Sequence, residues 1–433
     1  MKLNQTSLLL IIILCVVILS ISPNSPITGT ISVKNSTDFE KPIILDPALN
    51  IELIHRGAIK PTDLEFIDID DILVLEKNEG TVKRIVNGEM LEKPLLDVDV
   101  ANEEERGMLG MAVVKDENDG GDNDNEDGKT YVFMYYTEAE EEDGGSPIGN
   151  RLYRYELVGN ELLNPKLTLD LPAEPGPYHN GGKIEIGPDG NLYVVIGDLD
   201  NVEDEEKTKT QDKELDGRGG IIRISQDGET VEPLLGDTND DTLDKYYAYG
   251  IRNSFGMDFD PVTGNLWNTE NGPTYGDEIN LVEPGFNSGW NQIQGFLIAK
   301  NAQDIRELED FSGTGKYSDP EFVWNTTSGA TALRFFNSSE LGEQYLNDLF
   351  VGDYHNGYLY HFDLSQNRKG LALNGALSDR KADSPEELQN IILAKGLNGI
   401  TDIEVGPDGY LYVLSYWGGS IHRILPSNQA LNP

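Results

Sequence analysis

Apolar and polar positions alternate along most of this chain, and each alternating run soon ends in a turn rich in Gly, Asn or Asp. The clearest case is Lys183–Ile186, the turn Gly187-Pro188-Asp189-Gly190 and Asn191–Ile196, which predicts a β-hairpin. The hairpin returns at Ile403–Leu414 (IEVGPDGYLYVL) and, more loosely, at Met257–Glu270 (MDFDPVTGNLWNTE). A first unit is read from Ile67–Leu75, the turn Asn78-Glu79-Gly80 and Thr81–Val86. Six related endings then recur: GTVKRI from Gly80, GNRLYRY from Gly149, GGIIRI from Gly219, GDEINL from Gly276, NGYLYHF from Asn356 and GGSIHRI from Gly418.

Period-2 alternation makes each unit a half-buried antiparallel sheet, which cannot bury its own faces. Packing six such sheets radially around an axis buries those faces and protects the edges. The expected fold is therefore all-β, a six-bladed β-propeller of four-stranded antiparallel blades, forming one domain over residues 51–428. A β-sandwich array is the weaker alternative, because no linker divides the repeats.

Charge and the N-terminus narrow the setting. The formal net charge of −43 disfavours nucleic acid and anionic membrane as partners, and favours solubility and cations. Cys15 is the only cysteine, so there is neither a disulfide framework nor a thiolate metal site. Lys2 followed by the apolar run Leu8–Ile21 reads as an export signal or N-terminal membrane anchor over residues 1–22. Residues 23–50, rich in Pro, Ser and Thr, read as a linker. The expectation is an exported protein, extracellular or on the cell-surface or periplasmic side. The tract Asp116–Asp127 (DENDGGDNDNED) alternates Asp and Asn. It lacks the Gly register and closing Glu of a helix-loop-helix calcium site and reads as a solvated loop.

Three stretches carry candidate chemistry. His179 precedes Asn180-Gly181-Gly182, where glycines let another group approach closely, and it opens a hairpin whose loop end faces the axis. A neutral imidazole there suits a general base, although a lone loop histidine bonded to backbone is the commoner case. Arg252 beside Asn253 offers a fork of donors plus an amide, suited to a quinone oxygen or a carboxylate, or a structural ion pair. Glu270-Asn271-Gly272-Pro273, followed by Gly276-Asp277-Glu278, offers oxygen ligands of the kind hard cations take, or a plain turn. A fourth stretch, Glu105–Gly110, reads as a turn entering a buried strand. Trp417, in YWGG, is the tryptophan best suited to meet a sugar at a rim.

In this order, ERGMLGMAV, HNGGKIEIGPDGNLYVVIGD, GGIIRI, YAYGIRNSFGMDFDPVTGNLWNTENGP, GDEINLVEPGFNSGWN and IEVGPDGYLYVLS resemble the soluble quinoprotein glucose/sorbosone dehydrogenases over about residues 60–425. The resemblance implies a six-bladed propeller holding pyrroloquinoline quinone (PQQ) and Ca2+. It implies oxidation of an aldose sugar at the anomeric carbon to its lactone, with electrons passed to an external acceptor. His179 matches the catalytic base, and Arg252 the catalytic arginine beside the quinone. Glu105, Asp198, Asn253, Asn271 and His355 join Arg252 as cofactor-binding positions. Gly272 and Pro273 match the carbonyls that hold calcium, with Asp277 and Glu278 as further metal ligands. The chain departs from some relatives at Tyr178, where they place Asp. It departs again at His355 and near Gly399 and Thr401, where relatives often carry Lys or Arg. The alternative is a non-catalytic surface propeller that binds a glycan or a protein partner.

Overall fold

This computed structural model describes residues 41–116, 128–199, 210–211, 215–235, 242–296 and 304–427. The N-terminal signal or anchor, most of the linker and the acidic tract after Asp116 lie outside the described residues. The described strands fall into six sheets. Their innermost strands are Pro61–Asp68, Met108–Asp116, Ile184–Ile186, Met257–Phe259, Ala330–Phe335 and Ile400–Val405. Each of these touches the next, and the last touches the first. The result is an all-β propeller in which the only helix among the described residues is 3-10.

The repeated hairpins form where the alternation places them. Ile184–Ile186 pairs with Leu192–Ile196, Met257–Phe259 with Leu266–Glu270, and Ile400–Val405 with Leu411–Ser415, all antiparallel. The first unit turns earlier than its pattern suggests. Pro61–Asp68 reverses into Asp71–Glu76 through Ile69 and Asp70, the latter with φ 59°. Ile69, 56% exposed at that tip, hides the turn by continuing an apolar run.

A uniform four-stranded blade is corrected by the sheets themselves. Two have four strands, and the others have five or six. Phe286–Asn287, Lys316–Tyr317 and Lys381–Ala382 add to outer edges in parallel pairings, using the long loops between units to cover edges that would otherwise stand unpaired. The linker boundary also moves. Ile43 and Ile44 pair with Lys395 and Ala394, and Leu49–Arg56 pairs antiparallel with Ser420–Pro426. The N-terminal strand thus completes the sheet made by the C-terminus, which ties the ring shut.

Apolar clusters sit between neighbouring sheets. Phe133, Leu152, Ile184, Val194 and Ile222 pack in one, and Trp267, Phe322, Trp324, Phe335 and Phe362 in another. Around the axis four of the inner strands contribute acids: Asp63 and Glu65, Glu185, Asp258, and Asp402 with Glu404. Asp402 Oδ2 accepts the Leu64 N–H (3.1 Å), Asp63 Oδ2 that of Met111 (2.9 Å) and Asp258 Oδ2 that of Phe335 (2.7 Å). Each acid therefore caps an inner-edge donor of the next sheet. Lys183 and Arg334 lie among these acids. Lys183 Nζ is 2.8 Å from Asp402, 3.3 Å from Glu404 and 3.5 Å from Asp63, while Arg334 reaches Glu404 at 2.8 Å and Glu185 at 3.2 Å.

Candidate active site

Above this charged belt opens a cavity of about 410 Å³, lined by loop ends of the inner strands. His179 enters it from the segment that leads into Ile184–Ile186, with a left-handed backbone (φ 60°) and an N–H that donates to Glu105 Oε2 at 2.6 Å. Two glycines make this entry possible. A Cβ on Gly181 (φ 64°) would stand 2.4 Å from the Val195 carbonyl oxygen, and one on Gly182 (φ 118°) 2.5 Å from Leu109 Cβ.

The imidazole is held from behind. Its Nδ1 lies 2.6 Å from Asp198 Oδ1, and Trp290 Nε1–H donates to Asp198 Oδ2 at 2.6 Å. A carboxylate there accepts from Nδ1–H, and the tautomer that makes this bond keeps its lone pair on Nε2. Asp198 was expected at the cofactor. It does not line the cavity, and its contact there is with the His179 ring.

Arg252 stands over the face of Trp290, with its guanidinium carbon 5.3 Å from the ring centroid. Its Nη1 donates to the Asn271 carbonyl (2.8 Å), and its backbone N–H donates to Glu270 Oε1 (2.7 Å). Glu270 Oε2 accepts from Ser288 Oγ at 2.6 Å. Burial pushes the Glu270 carboxyl up to about 7, against the bonds from Ser288 and Arg252. Trp290 thus joins the histidine–aspartate pair to the arginine. Trp290→Phe keeps a ring beneath Arg252 and removes one donor to a buried carboxylate, a bond worth about 1.5–3 kcal/mol. The expected result is a fall in kcat of about tenfold with folding intact, measured by steady-state kinetics and near-UV circular dichroism.

Arg252, Asn253 and Asn271 all line the cavity, and so do Glu105, His355, Gly272 and Pro273. Asn253 Nδ2 donates to Glu105 Oε2 at 3.3 Å. Arg252 Nε, Asn253 Oδ1 and Asn271 Oδ1 are buried with no protein partner, so three polar atoms are left to be satisfied by something bound. The Asn271–Pro273 loop is clamped by Asp277. Asp277 Oδ1 accepts the Gly272 N–H (2.9 Å), and Oδ2 accepts those of Ser328 (2.7 Å) and Gly329 (2.8 Å). Asp277, expected as a metal ligand, lines the cavity, and both its oxygens accept backbone N–H groups. Glu278, the next residue along a strand, points the other way and accepts the Gly295 N–H at 2.6 Å. It does not line the cavity, so it is not placed to hold a metal there.

Several lining residues carry no signal in the alternating pattern. Lys77 reaches the cavity from the end of a strand, held by the Glu104 carbonyl (2.6 Å) and Asn78 Oδ1 (3.1 Å). Burial, then Lys60, lowers its ammonium to about 8. It supplies a cation from the sheet whose inner strand, Pro61–Asp68, touches Ile400–Val405, and so beside Gly399 and Thr401. Tyr354 and Tyr416 also line the cavity, and both contact Trp417, with centroids 5.7 and 4.9 Å away. Trp417 itself is 52% exposed, which makes this cluster an aromatic rim.

The family model described as Glucose / Sorbosone dehydrogenase matches residues 59–423. The chain is 25% identical over 398 residues to aldose sugar dehydrogenase YliI of Escherichia coli, covering 88% of this chain and 94% of that protein. In fold it resembles the apo form of the soluble aldose sugar dehydrogenase from Escherichia coli (TM-score 0.65, 22% identity, 87% of this chain and 99% of that one). It also resembles the PQQ-bound form of aldose sugar dehydrogenase from Streptomyces coelicolor (TM-score 0.60, 21% identity, 88% and 99%).

Proposed function

The chain belongs to the glucose/sorbosone dehydrogenase family, and from that premise we propose a PQQ- and calcium-dependent sugar dehydrogenase that oxidises an aldose at its anomeric carbon to the lactone. The observation that carries this reading is the bonded unit of Asp198, His179, Trp290 and Arg252 beside the unsatisfied Arg252 Nε, Asn253 Oδ1 and Asn271 Oδ1.

The residues present fit the cofactor and the ion. Arg252, Asn253 and Lys77 offer donors and positive charge to a planar polycarboxylate, while Asn271 Oδ1 and the loop at Gly272 and Pro273 offer oxygens to calcium. When bound, the quinone supplies a two-electron acceptor and calcium supplies Lewis acidity. His179 takes the anomeric hydroxyl proton at Nε2, and Asp198 stabilises the imidazolium that forms. Arg252 presents fixed positive charge from its place over Trp290, already oriented before substrate arrives. The rim of Tyr354, Tyr416 and Trp417 gives a sugar apolar faces on which to stack.

The same reading extends to the rest of the chain. The six sheets act as six blades around the site. Residues 1–22 export the protein or anchor it in the membrane, and an external acceptor takes the electrons. Calorimetric titration of PQQ into calcium-loaded protein should give near-stoichiometric, saturable binding that a chelator abolishes. The loaded protein should then reduce a dye when given aldoses. Absence of binding at high micromolar PQQ would sink this reading and favour the glycan- or partner-binding propeller.

A further inference from the structure

A second constellation lies at the far end of the sheet that contains Ala330–Phe335. Its strands Leu349–Asp353 and Leu359–Phe362 pair antiparallel, with Leu349 opposite Phe362 and Phe350 opposite His361. One step beyond that register, Asp348 stands opposite Asp363. His361 and Asp363 are two residues apart and share a face, and cross-strand partners point to the same side. Sheet geometry therefore brings two carboxylates and an imidazole onto one face. The turn joining these strands carries Tyr354 and His355 at the active-site cavity, so this cluster is a strand's length away, about 17 Å.

We infer that Asp348, His361 and Asp363 form a binding site for a first-row divalent cation such as Zn2+. His361 Nε2 lies 3.0 Å from Asp348 Oδ2 and 3.7 Å from Asp363 Oδ1, and ligand atoms of all three residues fall within 4.8 Å of one another. Metal–ligand bonds of about 2.0–2.2 Å set neighbouring ligand atoms about 3–3.6 Å apart, so small side-chain shifts complete the site. The imidazole is already oriented. Tyr345 meets it edge-on at 4.9 Å, and Phe350 lies 5.1 Å away. Like charges directly opposite one another in a sheet repel, and a cation between them turns that cost into attraction.

One nitrogen and two carboxylates make a donor set for Zn2+ or Mn2+ rather than for calcium, which takes six to eight oxygens. His361 and Asp363 also line a separate cavity of about 290 Å³, whose wall includes Glu386, Glu387 and Asn390. That cavity gives the ion room for water or a further carboxylate at its open positions. The inference does not depend on the dehydrogenase reading, because no residue of this site reaches the larger cavity.

The test is calorimetric titration of Zn2+ into the full chain after chelator treatment, with Ca2+ as the competing ion. One saturable Zn2+ site is expected that excess Ca2+ does not displace. Asp363→Asn and His361→Gln should each weaken it at least tenfold while leaving the metal-free melting temperature near that of the wild type. Asp363 is 65% exposed on its side chain, so its amide variant keeps the test usable even where the histidine variant folds poorly. Equal Zn2+ affinity and stoichiometry in wild type and Asp363→Asn would overturn the site. So would uptake by the wild type only as many weak equivalents spread over an acidic surface.

Discussion

His179→Ala is expected to lower kcat about 10²–10⁴-fold, the range a positioned general base supplies, while KM for the sugar and the affinity for PQQ change little. The reason is geometric. Glu105 holds the main-chain N–H of His179, and Asp198 holds the imidazole at Nδ1. Its contribution is a lone pair at Nε2 rather than binding surface. Asp198→Asn separates proton removal from mere presence of the ring. An amide in that place can donate to Nδ1, which moves the imidazole proton to Nε2 and leaves no lone pair facing the cavity. Turnover should fall comparably although His179 remains. Steady-state kinetics on PQQ-loaded variants, with circular dichroism as the folding control, decides the matter. Undiminished turnover in His179→Ala would remove the histidine as base. Full activity in Asp198→Asn would show that the tautomer is not set by that carboxylate.

Lys183→Met should cost about 3–5 kcal/mol of stability near neutral pH, the usual result of removing one partner from a buried ionic cluster. Lys183 is 7% exposed at its side chain and sits among Asp63, Asp402 and Glu404, all 4% exposed or less. Met fills much of the volume and leaves these carboxylates with Arg334 as the remaining cation of the belt. The pH dependence has a definite sign. Burial, then Glu404, pushes the Glu65 carboxyl up to about 8, and burial holds Glu404 at about 7 despite Arg334 and Lys183. Folded-state values above the unfolded ones mean that the native state keeps protons the unfolded chain has released. These groups therefore contribute stability below the ordinary carboxylate range that is lost as pH rises through about 7–8. In the variant the freed acids are neutralised more readily by protons, so its deficit should shrink between pH 7.5 and pH 5. Urea denaturation of both proteins at these two pH values measures it. A deficit that is the same at both, or one below about 1 kcal/mol, would mean that the belt is hydrated enough to tolerate the loss.

Much of the site was legible because several of its parts are local. His179 beside two glycines, Arg252 next to Asn253, and the Asn271–Pro273 loop are contiguous in the chain, and all three reach the same cavity. Adjacency in the chain does not say which way a side chain faces. Asp277 and Glu278 are adjacent acids, yet strand alternation sends them to opposite sides, one clamping backbone donors and the other turned away from the cavity. Lys77, next to the Asn78-Glu79-Gly80 turn, and Trp290, inside the GFNSGWN stretch, were given no role at the site because their neighbours in the chain do not reveal what they meet. Trp290 meets Asp198 from 92 positions further along the chain, and Lys77 is held by the Glu104 carbonyl 27 positions on.

By itself the sequence determined the all-β class, the hairpin repeats and the short segments that carry the histidine, the Arg-Asn pair and the oxygen-rich loop. Those features rest on period-2 alternation and on glycine turns, which act over a few residues. Tertiary structure alone decided that the N-terminal strand completes the last sheet and that added edge strands make the sheets unequal. It also decided that Asp198 serves the histidine, and that the acids of the inner strands meet Lys183 and Arg334 at the axis. Each of these depends on contacts between residues far apart in the chain. Alternation says which residues face inward, but only the closed ring says what they face.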